Sequence, residues 1–475
     1  MGLLFLNKLL FVFLSITIKK EKMKYSISLF ILLAIFSPNL LAQNQSSYEE
    51  LTPYRGVSAT ENRVENETMV GKILCGYQGW FTAEGDGSPS SWIHYNARGK
   101  FEPGFTSVDM WPDTSEMDED EKYPTNFRLA DGSTAHVFSS QNPKTVRRHF
   151  QWMQDYGLDG VFLQRFPSNL QNAEGVQRLN NVLVNVQKSA NESGRCWVLM
   201  YDLSGQREGT LKSVVMADWK KLSDNMKLGK DENDKSYLRH NGKPVIAVWG
   251  IGFNDNRRYS LQECMELITF LQEDETYGGF CVMIGVPTYW REMKIDTVND
   301  PYLHEIIQKS DIVSPWKVDR YHSSEKAFEH IMAVTKADIE WCRERDVEYL
   351  PVVFPGFSWK NLMKGRNNDR YLHTTDEMKR LSREEKYDPG TEHPISREKG
   401  HFLDIQYKTS IELGATMIYQ AMFDEIDEGT AIFKVTNDAP IGESEFVTYD
   451  GLPSDFYLKM VGSWTKVLRE KTSKK

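Results

Sequence analysis

The sequence predicts a (β/α)8 barrel, or TIM barrel, with long loops after strands one and seven. Eight short apolar runs rich in β-branched and aromatic residues recur along the chain, as buried parallel strands do. Segments with apolar residues at spacings of three and four lie between these runs, which is the period of a helix packed on a sheet. Alternating strands and helices indicate a parallel sheet. An open, doubly wound sheet is the alternative, because a strand count alone does not show that the sheet closes.

The predicted strands are Ile73–Tyr77, 160–163, 196–201, 245–249, 280–286, 312–313, 349–354 and 416–423. Three predicted helices each carry one apolar stripe. These stripes are formed by Val146, Phe150, Met153 and Gly157, by Val176, Leu179, Leu183, Val186 and Ala190, and by Phe328, Ile331, Thr335, Ile339 and Cys342. We expect each stripe to pack against the strands.

Two segments, 81–142 and 357–397, are too long to be simple connections. Both are rich in glycine, proline, aspartate and aromatic residues, and both follow predicted strands. Long insertions in compact domains are commonly functional, and barrel enzymes keep their active sites at the C-terminal ends of the strands. The acidic run 118–121 in the first segment matches no calcium-loop spacing and is interpreted as solvated surface.

Residues 1–42 are predicted to be a signal peptide with an upstream extension. Met23 and Lys24 begin a basic segment, 27–36 is apolar, and Ala42 ends an acceptable cleavage site. Met23 is favoured as the start, because the apolar run before it has no evident role. Both apolar runs are shorter than the roughly 20 residues of a membrane span. We therefore expect export to the periplasm or the extracellular space without stable membrane insertion, a membrane anchor being the alternative.

The remaining chain divides into a predicted linker, 43–69, and a predicted catalytic domain, 70–475. The full chain carries a net charge of −10, and the leader contributes five lysines and one glutamate, so the rest carries −14. This charge disfavours nucleic acid as a partner. Five scattered cysteines without a C-x-x-C pair indicate neither a zinc site nor a disulfide framework. No metal site and no cofactor are predicted.

Four acids follow the last predicted strand within five residues: Asp424, Glu425, Asp427 and Glu428. If the chain turns helically there, Glu425 and Glu428 are neighbours, with β-carbons about 5–6 Å apart. Retaining glycosidases hold their two carboxyl groups about 5–5.5 Å apart. Repulsion between the two charges would raise one pKa and so create an acid beside an ionised partner. We predict Glu425 and Glu428 as the catalytic pair; solvated acids and a cation site are the alternatives.

Five tryptophans lie at or just beyond the ends of predicted strands: Trp80, Trp249, Trp290, Trp316 and Trp359. Flat aromatic surfaces stack on the C–H faces of sugar rings, so these residues predict a mouth that binds an oligo- or polysaccharide. Packing inside the barrel or under a loop is the alternative for each. His94 and Asp202 are predicted to contact the substrate as well; a surface position for His94 and a structural hydrogen bond to a neighbouring loop for Asp202 are the alternatives. Arg165 and Arg366 either offset the acids or form surface ion pairs.

The segment 423–430 (FDEIDEGT) resembles the FNEWHEGT signature of family-99 glycoside hydrolases, the endo-acting α-mannosidases. Three further segments resemble that family in the same order along the chain. Segment 76–81 (GYQGWF) is similar to its first-strand turn, His94-Tyr95 to its His-Trp pair, and 351–357 (PVVFPGF) to its seventh-strand Pro-Gly-aromatic segment. On this basis Tyr77 is also expected to bind substrate.

The resemblance implies a (β/α)8 barrel that hydrolyses glycosides with retention. Glu425 matches the residue that assists the substrate's 2-hydroxyl in forming an anhydro-sugar, and Glu428 matches the general acid and base. A covalent nucleophile at Glu425 is the mechanistic alternative. Asp424, Ile426 and Asp427 replace the signature's Asn, Trp and His, which leaves an α-glucan-like substrate open beside an α-mannoside. A non-catalytic glycan-binding barrel and a cation-dependent enzyme are the other functional alternatives.

Overall fold

The main sheet has eight parallel strand positions arranged as a barrel, and we call each position a stave, whether one strand or two short strands fill it. The structure is a computed structural model, and it describes residues 47–365 and 394–474. In chain order the strands are β1 (Ile73–Tyr77), β2 (Tyr123–Arg128), β3 (Thr134–Val137), β4 (Gly160–Arg165), β5 (Cys196–Asp202), β6 (Arg239–His240), β7 (Lys243–Trp249), β8 (Cys281–Val286), β9 (Ile312–Pro315), β10 (Glu348–Tyr349), β11 (Val352–Val353) and β12 (Ile418–Gln420). Each of the eight predicted strands overlaps an observed one.

The seventh stave is split into β10 and β11, and this split stave closes the barrel. β10 pairs with β9, with Glu348 opposite Ile312, and β11 pairs with β12, with Val352 opposite Tyr419. β12 also pairs with β1, so the order of neighbours returns to its beginning. The barrel prediction is confirmed, and the open doubly wound sheet is excluded.

The helices cover the outside of the barrel, and several begin and end at residues suited to those positions. Asn142 caps the first helix by accepting a hydrogen bond from the Lys144 amide, and Gly157 ends that helix in a left-handed conformation. In chain order the helices are α1 (Pro143–Tyr156), α2 (Ala173–Ser193), α3 (Ala217–Met226), α4 (Leu261–Glu273), α5 (Tyr302–Lys309), α6 (Ser324–His330), α7 (Lys336–Arg343), α8 (Lys360–Gly365), α9 (His401–Glu412) and α10 (Phe456–Thr472).

The stripes predicted for the first two helices lie in α1 and α2, whereas the third is interrupted. A π-helical turn, Ile331–Thr335, separates α6 from α7. A π turn fits one more residue than an α turn, so it rotates the buried face relative to the turns on either side. Phe328, predicted on the buried stripe, is 45% exposed, because the buried face of this helix runs through the preceding residue, Ala327, to Ile331.

Successive side chains along each strand point alternately into the barrel interior and toward the layer under the helices. On β5, Val198 and Met200 belong to the interior cluster, whereas Leu199 and Tyr201 pack toward the helices. On β1, Leu74 faces inward and Tyr77 belongs to the helix layer. This parity decides which strand residues can reach the mouth of the barrel.

The long segment after β1 is a packed insertion rather than an open loop. It contains the antiparallel β2–β3 hairpin, and its Phe101, Trp111 and Phe127 rings form one aromatic cluster with Phe446 from beyond the last stave. Its acidic run is paired with basic side chains, because Lys144 binds Asp118 and Arg148 binds Glu121. The long segment after the seventh stave is described only up to residue 365 and from residue 394.

Residues 47–69, predicted as a linker, lie along the barrel domain. The Tyr48 hydroxyl donates to Asp218, the Ala59 amide donates to the Asn191 carbonyl at 2.8 Å, and Asn66 donates to the Tyr237 carbonyl at 2.9 Å. The described residues from 47 onward belong to one compact unit. The predicted leader, 1–42, lies outside the described residues. Within the described ranges, no helix has both the length and the apolar character to cross a bilayer. The five cysteines are buried and unpaired.

Candidate active site

The acids that follow β12 lie in a tight turn at the C-terminal end of the barrel. Asp424, Glu425 and Asp427 are buried, and Glu428 is half-buried. The amides of Thr430 and Ala431 donate to the Glu425 carbonyl at 3.2 and 3.0 Å, which folds residues 426–429 back on the strand end. The peptide bond between Ala421 and Met422, just before this turn, is cis.

Glu425 is held by two side-chain donors in a buried position. Gln78 Nε2 donates to Oε1 of Glu425, and Thr430 Oγ1 donates to Oε2 at 2.5 Å. Burial raises the pKa of Glu425 well above its ordinary value, and the negative charges of Glu428 and Asp427 raise this pKa further, against the two hydrogen bonds. The negative charge of Glu428 thus acts on the Glu425 carboxyl, and the assignment of the two residues as the catalytic pair stays a prediction.

Asp424 ties the last stave to the first. Its carboxylate oxygens accept the backbone amides of Gln78 and Gly79 at 2.8 and 2.9 Å. Gly79 has φ +60°, and a Cβ there would lie 2.7 Å from Val182, so this approach depends on glycine. Burial raises the pKa of Asp424 to about 7, although both backbone hydrogen bonds oppose the shift.

His94 and Trp80 form one wall of the turn. Their rings stack with centroids 3.7 Å apart and planes 3° from parallel. His94 Nδ1 lies 2.9 Å from Oδ2 of Asp427. The second oxygen of Asp427 is buried and has no hydrogen-bond partner among the described residues, and the same holds for the Trp80 indole nitrogen.

Aromatic side chains and one acid line the interior side of the mouth. Trp249 and Trp316 meet edge to face at 5.5 Å, and Trp316 is 6.3 Å from Tyr419. Asp202 lies directly opposite Trp249 in the β5–β7 register, and burial raises its pKa. Trp359 packs beside Phe357 at 5.2 Å.

Two predicted substrate-binding residues lie elsewhere, and these predictions are corrected. Tyr77 is fully buried under α1, where its hydroxyl is 2.9 Å from His149 Nδ1. Trp290 is fully buried against Trp341 in the helix layer, with ring centroids 4.8 Å apart. Strand parity directs Tyr77 outward, and the chain beyond β8 carries Trp290 away from the opening.

Of the two arginines proposed to offset the acids, the structure describes Arg165 and not Arg366. Arg165 is buried on the helix side of β4 and forms a two-pronged ion pair with Asp218, with both N–O distances at 2.7 Å. It therefore does not act on the acids at the mouth. Arg366 lies outside the described residues.

Three residues near the acids were missed by sequence reasoning. Gln78 and Thr430 hold Glu425, and Asp109 from the long insertion contacts the segment next to Glu428. Gln78 is the first residue after β1, and its place at a strand end is a signal that could have identified it. Thr430 belongs to the quoted signature segment. Asp109 has no comparable signal in the sequence.

The fold and the site together define the class of this chain: a (β/α)8-barrel protein with a buried carboxylate site beside the end of its last stave. No protein-family model matches the sequence, and no curated protein matches it. Two solved structures of a GH99 endo-α-mannosidase from Bacteroides thetaiotaomicron are similar, one of them in complex with BIS-TRIS-propane. Their identities are 17% and 16%, their TM-scores are 0.56 and 0.57, and each comparison covers 86% of this chain and 100% of the other. The fold of this chain is that of the GH99 endo-α-mannosidases.

Proposed function

We propose that this chain is an exported glycoside hydrolase that cleaves an α-linked glycan with retention of configuration. The observation that carries the proposal is the buried turn after β12, where Gln78 and Thr430 hold the Glu425 carboxyl and the negative charge of Glu428 lies near enough to raise the pKa of Glu425. Like charges that share a site cannot both ionise easily, so the pair keeps one proton while its other member is charged. Glycoside hydrolysis with retention uses such a pair.

Glu428 takes the role of general acid and then base, and Glu425 assists the 2-hydroxyl of the substrate. These roles follow the resemblance of 423–430 to the family-99 signature. Gln78 and Thr430 both donate to Glu425, which favours the ionised form that Glu425 needs before it accepts the proton of the 2-hydroxyl. In the alternative mechanism, ionised Glu425 attacks the anomeric carbon itself.

The position of the proton shared by Glu425 and Glu428 depends on whether substrate is bound. Burial and neighbouring charges favour neutral Glu425 in the free protein, whereas the proposed roles need an ionised Glu425 and a protonated Glu428. In a strongly interacting pair, the apparent pKa values belong to the pair and not to either residue. A substrate whose 2-hydroxyl donates to Glu425 stabilises the charge there and so favours the proton on Glu428.

Trp249, Trp316 and Trp359 are proposed to stack on sugar rings, with Asp202 and His94 accepting or donating hydrogen bonds to hydroxyls. The indole nitrogens of Trp80 and Trp249 and one oxygen of Asp427 are buried without a partner among the described residues. Buried polar groups are nearly always hydrogen-bonded, so a ligand hydroxyl is a suitable partner. An α-mannoside or an α-glucan-like chain remains the proposed substrate.

The test is digestion of α-mannans, α-glucans and plant or algal polysaccharides, followed by identification of the products. Proton NMR of the first-formed anomer measures retention directly. Glu428→Gln should abolish turnover of the active glycan and leave its binding, measured by calorimetry, within about threefold of the unaltered protein. Glu412→Gln on α9 is the matched control and should remain fully active.

Other outcomes of these measurements contradict the proposal. Binding of a glycan without turnover by the unaltered chain identifies a non-catalytic glycan-binding barrel. Activity that a chelator removes and a divalent cation restores identifies a cation-dependent enzyme. An inverted product anomer excludes both retaining mechanisms.

A further inference from the structure

Asp109 lies in the insertion after β1, and its side chain is 1% exposed. Its Oδ2 accepts a hydrogen bond from the Ser358 hydroxyl at 2.8 Å, and its Oδ1 accepts one from the backbone amide of Asn361 at 2.8 Å. Both partners belong to the segment that follows the seventh stave. A buried carboxylate in the first long loop therefore fixes the start of the second.

The same two segments hold the acid-bearing turn from both sides. The backbone amides of Asp109 and Met110 donate to the Ile426 carbonyl at 2.9 and 3.1 Å, and the Ser358 amide donates to the Glu428 carbonyl at 2.8 Å. A Cβ on Gly429 would lie 2.8 Å from the Ser358 nitrogen, so glycine permits this close approach. We call the arrangement of Asp109, Ser358 and residues 426–428 the clasp.

We propose that Asp109 is a positioning residue that sets the place of the Glu428 carboxyl through the clasp. The inference rests on the proposed function, because it assigns Asp109 a part in delivering the proton of Glu428. Removing the carboxylate frees Ser358, which in turn frees the carbonyl of Glu428 and the direction of its side chain. Misplacement of a catalytic group by about 1 Å can cost about 100-fold in rate.

The role predicts a loss that depends on the leaving group. A sugar leaving group needs a proton from the acid as the bond breaks, whereas a nitrophenolate leaves without one. A displaced Glu428 therefore slows cleavage of a glycan much more than cleavage of the nitrophenyl glycoside of the same sugar. Partial unfolding or a smaller active fraction slows both substrates by the same factor.

The experiment compares Asp109→Asn with the unaltered chain on the active glycan and on its nitrophenyl glycoside. Asparagine keeps the shape but cannot accept both hydrogen bonds. We expect kcat/KM on the glycan to fall about 10- to 100-fold, and kcat/KM on the nitrophenyl glycoside, which reports cleavage of the glycosidic bond and not the later base step, to fall less than about threefold. Asp113→Asn, in the same insertion and away from the clasp, is the matched control and should keep both activities.

Ser358→Ala keeps the experiment decisive if Asp109→Asn folds poorly. It removes one hydrogen bond and should give a smaller loss with the same preference for the glycan. The double variant should lose less than the product of the two single losses, because both act through one contact. Equal losses on the two substrates, or losses that follow the thermal midpoint, overturn the positioning role. If the unaltered chain cleaves no glycan, the proposed function fails and this inference falls with it.

Discussion

His94 lies 2.9 Å from Asp427, through Nδ1 and Oδ2, while its ring stacks on Trp80. The imidazole belongs to the insertion after β1, and the carboxylate belongs to the turn after β12. The contact therefore joins the first and last loops of the barrel beside Glu425. Asp427 stands where the family-99 signature has His, so this pair departs from that signature.

Asp427→Asn is expected to move the acidic limb of the kcat/KM profile to lower pH. The charge of Asp427 raises the pKa of Glu425, so its removal lowers that pKa, and Glu425 acts ionised in the proposed mechanism. The pH–rate profile of the active glycan measures the shift. Identical limbs in the variant and the unaltered chain would contradict an effect of the Asp427 charge on Glu425.

Gln78→Leu is expected to move the same limb to higher pH. The Gln78 amide donates to Glu425 and stabilises its charge, so the leucine variant raises the pKa of Glu425 further. The pH–rate profile is again the measurement. Gln154→Leu, on the outer helix α1, serves as the control and should leave the limb in place. A limb that moves down in Gln78→Leu would show that the amide does not act on the ionised form.

Trp249→Ala is expected to raise KM for the active glycan about tenfold with a smaller change in kcat. An aromatic contact is worth about 0.5–1.5 kcal/mol beyond its buried area, and 1.4 kcal/mol corresponds to a factor of about ten. Steady-state kinetics measure the change. Trp290→Ala removes an indole from the helix layer and should lower the free energy of unfolding by about 3–5 kcal/mol without this rise in KM. A larger rise in KM from Trp290→Ala would place that residue back at the mouth.

Asp424→Asn is expected to flatten the pH dependence of stability in mildly acidic solution. The pKa of Asp424 is about 7 in the folded chain, above the ordinary value of 3.8. As pH rises from about 4 to about 7, the unfolded chain ionises Asp424 before the folded chain does, so stability is lost across this window and is constant above it. Urea denaturation at pH 4.5 and 7.5 measures the difference. If the free energy of unfolding of Asp424→Asn falls between the two pH values as much as that of the unaltered chain, Asp424 is not the source of the pH dependence.

Arg165→Met is expected to destabilise the fold by about 3–5 kcal/mol. Arg165 and Asp218 are both buried and joined by two short hydrogen bonds, so the variant leaves a buried charge unpaired. Denaturant unfolding measures the loss. Arg147→Met breaks an exposed contact with Glu192 and should change stability by less than about 1 kcal/mol. Equal effects of the two variants would refute the argument from burial.

The strand order was predictable from sequence, and the direction of individual side chains was not. A parallel strand between helices and a barrel core is apolar on both faces, so runs such as 196–201 identify the strand without its parity. Leu74 lies in the barrel interior, whereas Tyr77, an odd number of residues further along the same strand, lies in the helix layer. For Trp290, the path of the loop beyond β8 decided burial, and no local pattern specifies that path.

The acids of the site were predictable because they are adjacent in sequence, whereas their supports come from distant segments. Gln78 and Glu425 are 347 residues apart, and Asp109 and Ser358 are 249 residues apart. A neutral amide at a strand end and an aspartate within a long insertion carry no charge pattern or spacing that distinguishes them. Tertiary structure alone brings them to the turn.

The split stave has a consequence for local opening of the barrel. Leu350 donates its amide toward β9, whereas the next residue, Pro351, has no amide and offers only its carbonyl to Tyr419 on β12. The seventh stave thus changes its hydrogen-bonding partner from β9 to β12 within two residues. This stave is next to the one that carries the acids. Under native conditions, deuterium should therefore enter at the amides of Val353 and Tyr419 sooner than at those of Val161 and Leu199 on the unbroken side.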